Sequence, residues 1–361
     1  MLLTPGPAEM DMHIRQIGAE PLGYFRSTAY CDEVKSLTEL LKMHFQTQQT
    51  PLTITGSGTA GMELALVNLF SPGDRVVSVN AGTFGAKWAV MARGLGLDVV
   101  EYVCEHGQHP DLDQFDRLID ASTKGVLLTA HETSTGYLFD LPAMIARAKA
   151  KGCLCVVDGV SSIGADPFYM DDWGVDCAIS CSQKALACMP GLTFVALSPT
   201  ATEQVYRVTS YRAYLDARTY IDNIGRGMLP FTPAMHATMQ VLARLQQIQK
   251  IGHTQALQQT AEKAQLFRDR LFALNPQLSL FAARSSVALS AIQLPDAVSA
   301  RQLIEVMKVK YDWILPNNPT GSDRFIRISH MGDLSASMYA EVAEKLAQEI
   351  AFLSEKGAIL Q

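Results

Sequence analysis

The chain has 361 residues, 48% of them hydrophobic and 18% charged, with a formal net charge of −6. That length suits two domains at roughly 150 residues each, and an acidic balance without a Lys or Arg run excludes a broad nucleic-acid surface. The longest apolar runs, 125–130 and 153–157, are strand-length and well short of the roughly 20 residues a membrane helix needs.

The opening residues, Met1 to Pro7, lack the basic start and long apolar stretch of a signal peptide, so a cytoplasmic location is expected. An N-terminal arm is expected over 1–16. From about residue 50 to 200, short β-branched runs alternate with longer helical ones. Strands are expected at 52–55, 75–79, 99–103, 125–129, 153–157, 177–180 and 193–197. Helices are expected at 60–70, 83–95, 112–121 and 141–151, several ending at a glycine such as Gly94, Gly96 or Gly152. Strands separated by helices imply parallel crossovers and a sheet covered on both faces. The expectation is a large α/β domain over 17–251 with a mostly parallel sheet between helices.

After Pro233 the texture changes. Residues 235–274 are rich in Ala, Gln and Leu and should be mostly helical. Strands follow at 286–293 and 325–329, then a terminal helix over about 335–354, with Asp333 and Ser335 as candidate caps. This predicts a smaller α+β domain over 252–361. Seven cysteines make an odd number for a disulfide framework, and Cys153 and Cys155 sit in a strand-like run as reduced core residues. Cys177, Cys181 and Cys188 have neither zinc-ligand spacing nor a neighbouring His, so no metal site is expected.

Three clusters could carry chemistry. Thr55-Gly56-Ser57-Gly58-Thr59-Ala60-Gly61 joins a strand to a helix, whose free N–H groups and positive dipole end suit an anion. A plain turn explains it too, as does the dinucleotide pattern G-x-G-x-x-G. That pattern wants an acid at the end of the next strand, whereas Asp74 precedes that strand and Asn80 closes it. Asp158 ends an apolar strand, on the edge where α/β sheets bind ligands, and a buried carboxylate there calls for a cationic partner or for backbone hydrogen bonds. Lys184 follows the next strand, within Ser180-Cys181-Ser182-Gln183-Lys184-Ala185, where it should project toward Asp158. Each cluster alone has a structural explanation. Together they put an anion cradle, an acid and an amine in one cleft, which is what pyridoxal phosphate requires.

With those residues in place, the chain resembles the class V aminotransferases, fold-type I pyridoxal-phosphate enzymes, and within them the alanine–glyoxylate and serine–pyruvate group. The resemblance runs nearly end to end: Thr4-Pro5-Gly6-Pro7, Ser57-Gly58-Thr59, His131-Glu132-Thr133-Ser134-Thr135-Gly136, Asp158, Gln183-Lys184, Phe231-Thr232-Pro233 and Arg327-Ile328-Ser329-His330-Met331-Gly332. It implies pyridoxal 5'-phosphate bound through a Lys184 Schiff base, with Asp158 on the pyridine nitrogen. Ser57, Gly58, Thr59 and Gln183 would hold the phosphate, joined by Thr232 from the partner of a homodimer. Thr133 would bond the ring hydroxyl, Phe84 would stack on the ring, and Arg327 would receive the substrate carboxylate.

The implied reaction is transamination from a small amino acid, of alanine or serine type, to a 2-oxo acid such as glyoxylate or pyruvate. A 2-aminoethylphosphonate–pyruvate or other small-amine transaminase is the alternative on the same fold. A nicotinamide-dependent dehydrogenase is the alternative from another class. Four departures stand out. Thr59 and Phe84 replace the His and Trp of many relatives, a serine follows Ile328 where glycine is usual, and residues 313–322 do not match the family's loop before the arginine. Gln183 in place of His, and no cysteine beyond Cys188, argue against a cysteine desulfurase.

Overall fold

The computed structural model describes residues 1–209 and 212–359. The first half of the chain supplies β1 (Leu52–Thr55), β2 (Arg75–Asn80), β3 (Asp98–Val103) and β4 (Thr123–Thr129). A short antiparallel hairpin of β5 (His131–Glu132) and β6 (Tyr137–Leu138) follows, then β7 (Leu154–Asp158), β8 (Cys177–Cys181) and β9 (Leu192–Leu197). Seven of these strands form one sheet in the order β1-β9-β8-β7-β4-β2-β3.

Successive side chains on a strand point to opposite faces, and here each face has its own core. Val77, Leu128, Val157 and Phe194 join one cluster, while their neighbours Val76, Leu127, Val156 and Val195 join the other. Burial on both faces explains why these strands read as continuous apolar runs.

One strand departs from the parallel expectation. β9 runs antiparallel to both β8 and β1, whereas β3, β2, β4, β7 and β8 are all parallel. The reversal has a positional consequence. Because β9 is antiparallel to both of its neighbours, β1 points the same way as β8. The C-terminal ends of β1, β2, β4, β7 and β8 therefore share one edge of the sheet.

The helices mostly follow the sequence, with reasons where they do not. Leu141–Ala150 starts at Asp140, whose side chain accepts from Ala143 N, with Pro142 in the first turn. Leu112–Leu118 stops short of 121 because the Asp120 carboxylate accepts from Ser122 N and closes a local turn. The 235–274 stretch is two helices, Met235–Ile251 and His253–Leu274, broken at Gly252, which holds φ 95°. Thr28–Phe45, capped by Ser27, and Ala300–Tyr311, capped by Ser299, were not anticipated.

A second sheet comprises β10 (Ser279–Leu280), β11 (Leu289–Gln293) and β12 (Phe325–Ser329), all antiparallel. β11 starts three residues later than the expected 286, because Asp166 accepts from Val287 N (2.9 Å) and Ser286 Oγ (2.6 Å) and removes that N–H from the ladder. The terminal helix Ala336–Ile359 is preceded by Ser335, whose hydroxyl accepts from Met338 N; Asp333 does not cap it, and its N–H goes to Glu9 O. On β12, Ile326 and Ile328 enter the core behind the sheet. By alternation Arg327 lies on the opposite face. No helix among the described residues is long and apolar enough to cross a membrane.

Candidate active site

The shared edge gathers several of the sequence-predicted residues. Asp158 is the last residue of β7 and only 6% exposed. Its Oδ1 accepts from Val160 N at 2.9 Å, and no donor among the described residues reaches Oδ2. Burial pushes its pKa up to about 6; the Val160 N–H, Lys184 and Lys87 oppose that rise, and Glu132 adds to it.

Lys184 lies in the turn after β8, partly buried. Its ammonium makes no hydrogen bond among the described residues. Burial is the main cause lowering its pKa, with the Arg327 and Lys87 charges in the same direction and Cys181 and Asp158 opposed. Such an amine is biased toward the neutral, nucleophilic form. Over it lies the N-terminal segment. A Cβ on Gly6 would stand 2.6 Å from Lys184 Cδ and 2.7 Å from Nζ. Ala8 N donates to Gln183 O at 3.1 Å, which ties the segment to the lysine turn.

The Ser57-Gly58-Thr59 turn opens the helix Gly58–Leu69 with Ser57 at the N-cap, making no side-chain cap bond. Ser57 and Thr59 are exposed, and their hydroxyls make no hydrogen bond among the described residues. A Cβ on Gly58 would meet Val160 Cγ2 at 2.7 Å, so the helix start is pressed against the turn after Asp158. Ala60 N donates to Ser57 O, while the Gly58 and Thr59 N–H groups make no hydrogen bond among the described residues and suit an anion. Gln183 Oε1 is buried without a hydrogen-bond partner.

Phe84 opens the helix Thr83–Gly94 after β2, with Lys87 Nζ 5.1 Å from its ring centroid. Its placement depends on Glu132, which is fully buried. That carboxylate accepts from Phe84 N (3.1 Å), Gly85 N (2.8 Å), Ser134 N (3.1 Å) and Ser134 Oγ (2.5 Å). Thr133 is buried, its hydroxyl 2.6 Å from Ser161 Oγ, which lies 3.1 Å from His131 Nδ1. Glu132, His131, Ser161 and Gly6 therefore belong to the site although sequence reasoning gave them no role. Glu132 and His131 lay inside a recognised motif, but nothing local showed that the acid faces a helix start.

Arg327, 4% exposed, reaches this cluster from β12. Nη1 donates to Thr133 O at 2.9 Å, Nε to Asn318 Oδ1 at 3.2 Å and Nη2 to Asn317 O. It has no carboxylate ion-pair partner among the described residues. Burial lowers its pKa to about 10, Glu132 opposing. Thr232 is not part of the cluster. It is exposed, in a segment stitched to the end of β1 by Ala234 N donating to Thr55 Oγ1 at 3.1 Å.

These groups fit pyridoxal phosphate: an amine without a partner, an acid with one oxygen uncommitted, and an open anion cradle behind both. The fold and this set of groups define a fold-type I pyridoxal-phosphate enzyme. Residues 27–300 match the family Aminotransferase class-V. The chain belongs to the class V aminotransferase family, and it is a pyridoxal-phosphate-dependent transaminase.

Among solved structures it is similar to an aspartate aminotransferase of subgroup IV from Thermus thermophilus, with TM-score 0.90 and 30% identity over 97% of this chain and 99% of that one. Among curated relatives it is 30% identical to the L-aspartate–glyoxylate aminotransferase of Paracoccus denitrificans, over 93% of this chain and 87% of the relative. It is also 34% identical to a Synechococcus protein named soluble hydrogenase, small subunit, over 92% and 88% of the two chains. Among the described residues no three His, Cys, Asp or Glu side chains gather to share a metal ion, and all seven cysteines are free thiols.

Proposed function

We propose that the enzyme moves an amino group from a small amino acid to a 2-oxo acid, glyoxylate or pyruvate, with both substrates anchored by carboxylate on Arg327. One observation carries this reading. A guanidinium has five N–H donors, and three are committed to Thr133 O, Asn317 O and Asn318 Oδ1. One hydrogen remains on each terminal nitrogen, the number a bidentate carboxylate uses. The 30% identical relative named for glyoxylate supports the choice of acceptor.

When bound, the cofactor supplies an electron sink for the substrate Cα. The chain's own residues do the rest. Lys184 Nζ would be the attachment point for the cofactor aldehyde and, as a free amine, the base for the Cα proton. Asp158 would hold a proton on the pyridine nitrogen. Ser57, Gly58, Thr59 and Gln183 would bind the phosphate, Phe84 would cover the ring, and Thr133 would bond its hydroxyl. Thr232, exposed and outside its own chain's cluster, fits a role in a homodimer partner's phosphate site. A cytoplasmic location accords with seven free cysteines.

A phosphonate donor would leave Arg327 serving only the acceptor. Arg327→Ala therefore tests the substrate class: KM should rise steeply for both amino acid and 2-oxo acid, with cofactor content unchanged. A rise confined to the acceptor would favour the aminoethylphosphonate alternative, and no change in either would remove Arg327 as the anchor.

A further inference from the structure

The loop 313–322 is the longest departure from the family pattern, and in the fold it lies against Arg327. Pro316 and Pro319 flank Asn317-Asn318. A proline fixes its own φ and holds the preceding residue extended, so Asn318, before Pro319, has little backbone freedom. Its side chain is committed at both ends. Nδ2 donates to Ser322 O at 2.9 Å and to Phe325 O at 2.5 Å, while Oδ1 accepts from Arg327 Nε. The neighbouring carbonyl, Asn317 O, accepts from Arg327 Nη2.

A guanidinium offers a carboxylate two double-donor edges: the side edge of Nε and Nη2, and the end edge of Nη1 and Nη2. Both nitrogens of the side edge donate to consecutive loop residues. The unused hydrogens sit on Nη1 and Nη2. The loop thus determines which edge of the fork a ligand can meet.

We propose that Asn318 is a positioning residue for substrate recognition: it locks the side edge of Arg327 so that the end edge is presented to the substrate carboxylate. The proposal rests on Arg327 being the anchor. It concerns binding of the carboxylate and neither cofactor attachment nor proton transfer. Without the Asn318 oxygen, only the Thr133 and Asn317 carbonyls hold the guanidinium, and Nε becomes a competing donor. A hydrogen bond to a charged group is worth about 1.5–3 kcal/mol, roughly a tenfold or larger change in affinity.

The test compares Asn318→Ala, Asn318→Asp and Arg327→Ala in the cofactor-loaded enzyme. Calorimetry would use 2-methylalanine, a carboxylate ligand that has no Cα proton to lose, and a simple alkylamine without a carboxylate. Asn318→Ala should weaken 2-methylalanine about tenfold and raise KM for donor and acceptor alike, with kcat within about twofold and alkylamine binding unchanged. Asn318→Asp should weaken it further, since a carboxylate against Nε competes for the guanidinium charge. Should Asn318→Ala fail to fold, Asn318→Leu, which fills similar space without an acceptor, decides: wild-type affinity for 2-methylalanine in that variant overturns the proposal. Equal weakening of both ligands in Asn318→Ala would reduce Asn318 to loop packing and overturn it too. If Arg327→Ala weakens 2-methylalanine and Asn318→Ala does not, only the role of Asn318 falls. If Arg327→Ala itself has no effect, the anchor reading falls.

Discussion

Gly6 lies directly against Lys184: a Cβ there would come within 2.6–2.8 Å of Lys184 Cδ, Cε and Nζ. The N-terminal segment is thus a wall of the site, and its glycine leaves room for the lysine side chain. We predict that Gly6→Ala preserves the fold but displaces the amine, at an overpacking cost of about 1–3 kcal/mol. Cofactor attachment should slow and turnover fall, read by the rate of colour development on adding pyridoxal phosphate to the cofactor-free protein. An alanine variant that loads and turns over like the parent would show that the segment moves aside freely.

Asp158 is the second test. Asparagine fits the same space but cannot hold the pyridine nitrogen protonated, so Asp158→Asn should keep the cofactor and lose turnover by about a hundredfold or more. Near-normal steady-state rates would return Asp158 to a structural role, with the Val160 N–H as its whole purpose.

Glu132 sets Phe84 through the helix start. Glu132→Ala would leave the Phe84, Gly85 and Ser134 N–H groups buried without their acceptor, at a cost of about 1–3 kcal/mol each before relaxation. Urea unfolding should show a loss of at least about 2 kcal/mol, with weaker cofactor retention as the helix shifts. Retained stability together with retained cofactor would mean that water replaces the carboxylate.

The sign of one pH dependence follows from Asp166, buried between Ser286 Oγ and Val287 N. Burial pushes its pKa up to about 6, opposed by those two bonds and by Arg268 and Ser162. The unfolded carboxyl titrates near about 4, so its favourable contribution is full below about 4 and lost as pH rises through about 6. The loss is up to about 3 kcal/mol. The destabilisation caused by Asp166→Asn should therefore shrink between pH 4 and pH 7 in paired denaturant titrations. A cost that grows with pH would mean that the folded pKa is depressed.

Much of this architecture is legible in the residues, for identifiable reasons. Strands buried on both faces, such as 125–129, appear as unbroken apolar runs, and glycines punctuate the helices. Direction is harder. That β9 runs antiparallel is written only in a negative: the stretch between Cys181 and Leu192 carries no helix to make a crossover. The site residues fall at strand ends, where Asp158 and Lys184 stand out as charges beside apolar runs. Glu132, Gly6 and Asn318 did not stand out, because their roles are contacts across 47, 178 and 9 positions of sequence respectively. Asn318 in particular was visible only as a loop that failed to match.

Whether Lys184 carries the cofactor is read by trapping the adduct. The cofactor-loaded protein is reduced with borohydride, digested, and the pyridoxyl group located by peptide mapping. We expect a single modified lysine, Lys184, and no trapped cofactor in Lys184→Ala under the same conditions. Lys87 is the informative competitor, since it lies by Phe84 and its charge acts on both Asp158 and Lys184. Label on Lys87, or on any lysine other than Lys184 in the unmodified enzyme, would contradict the account.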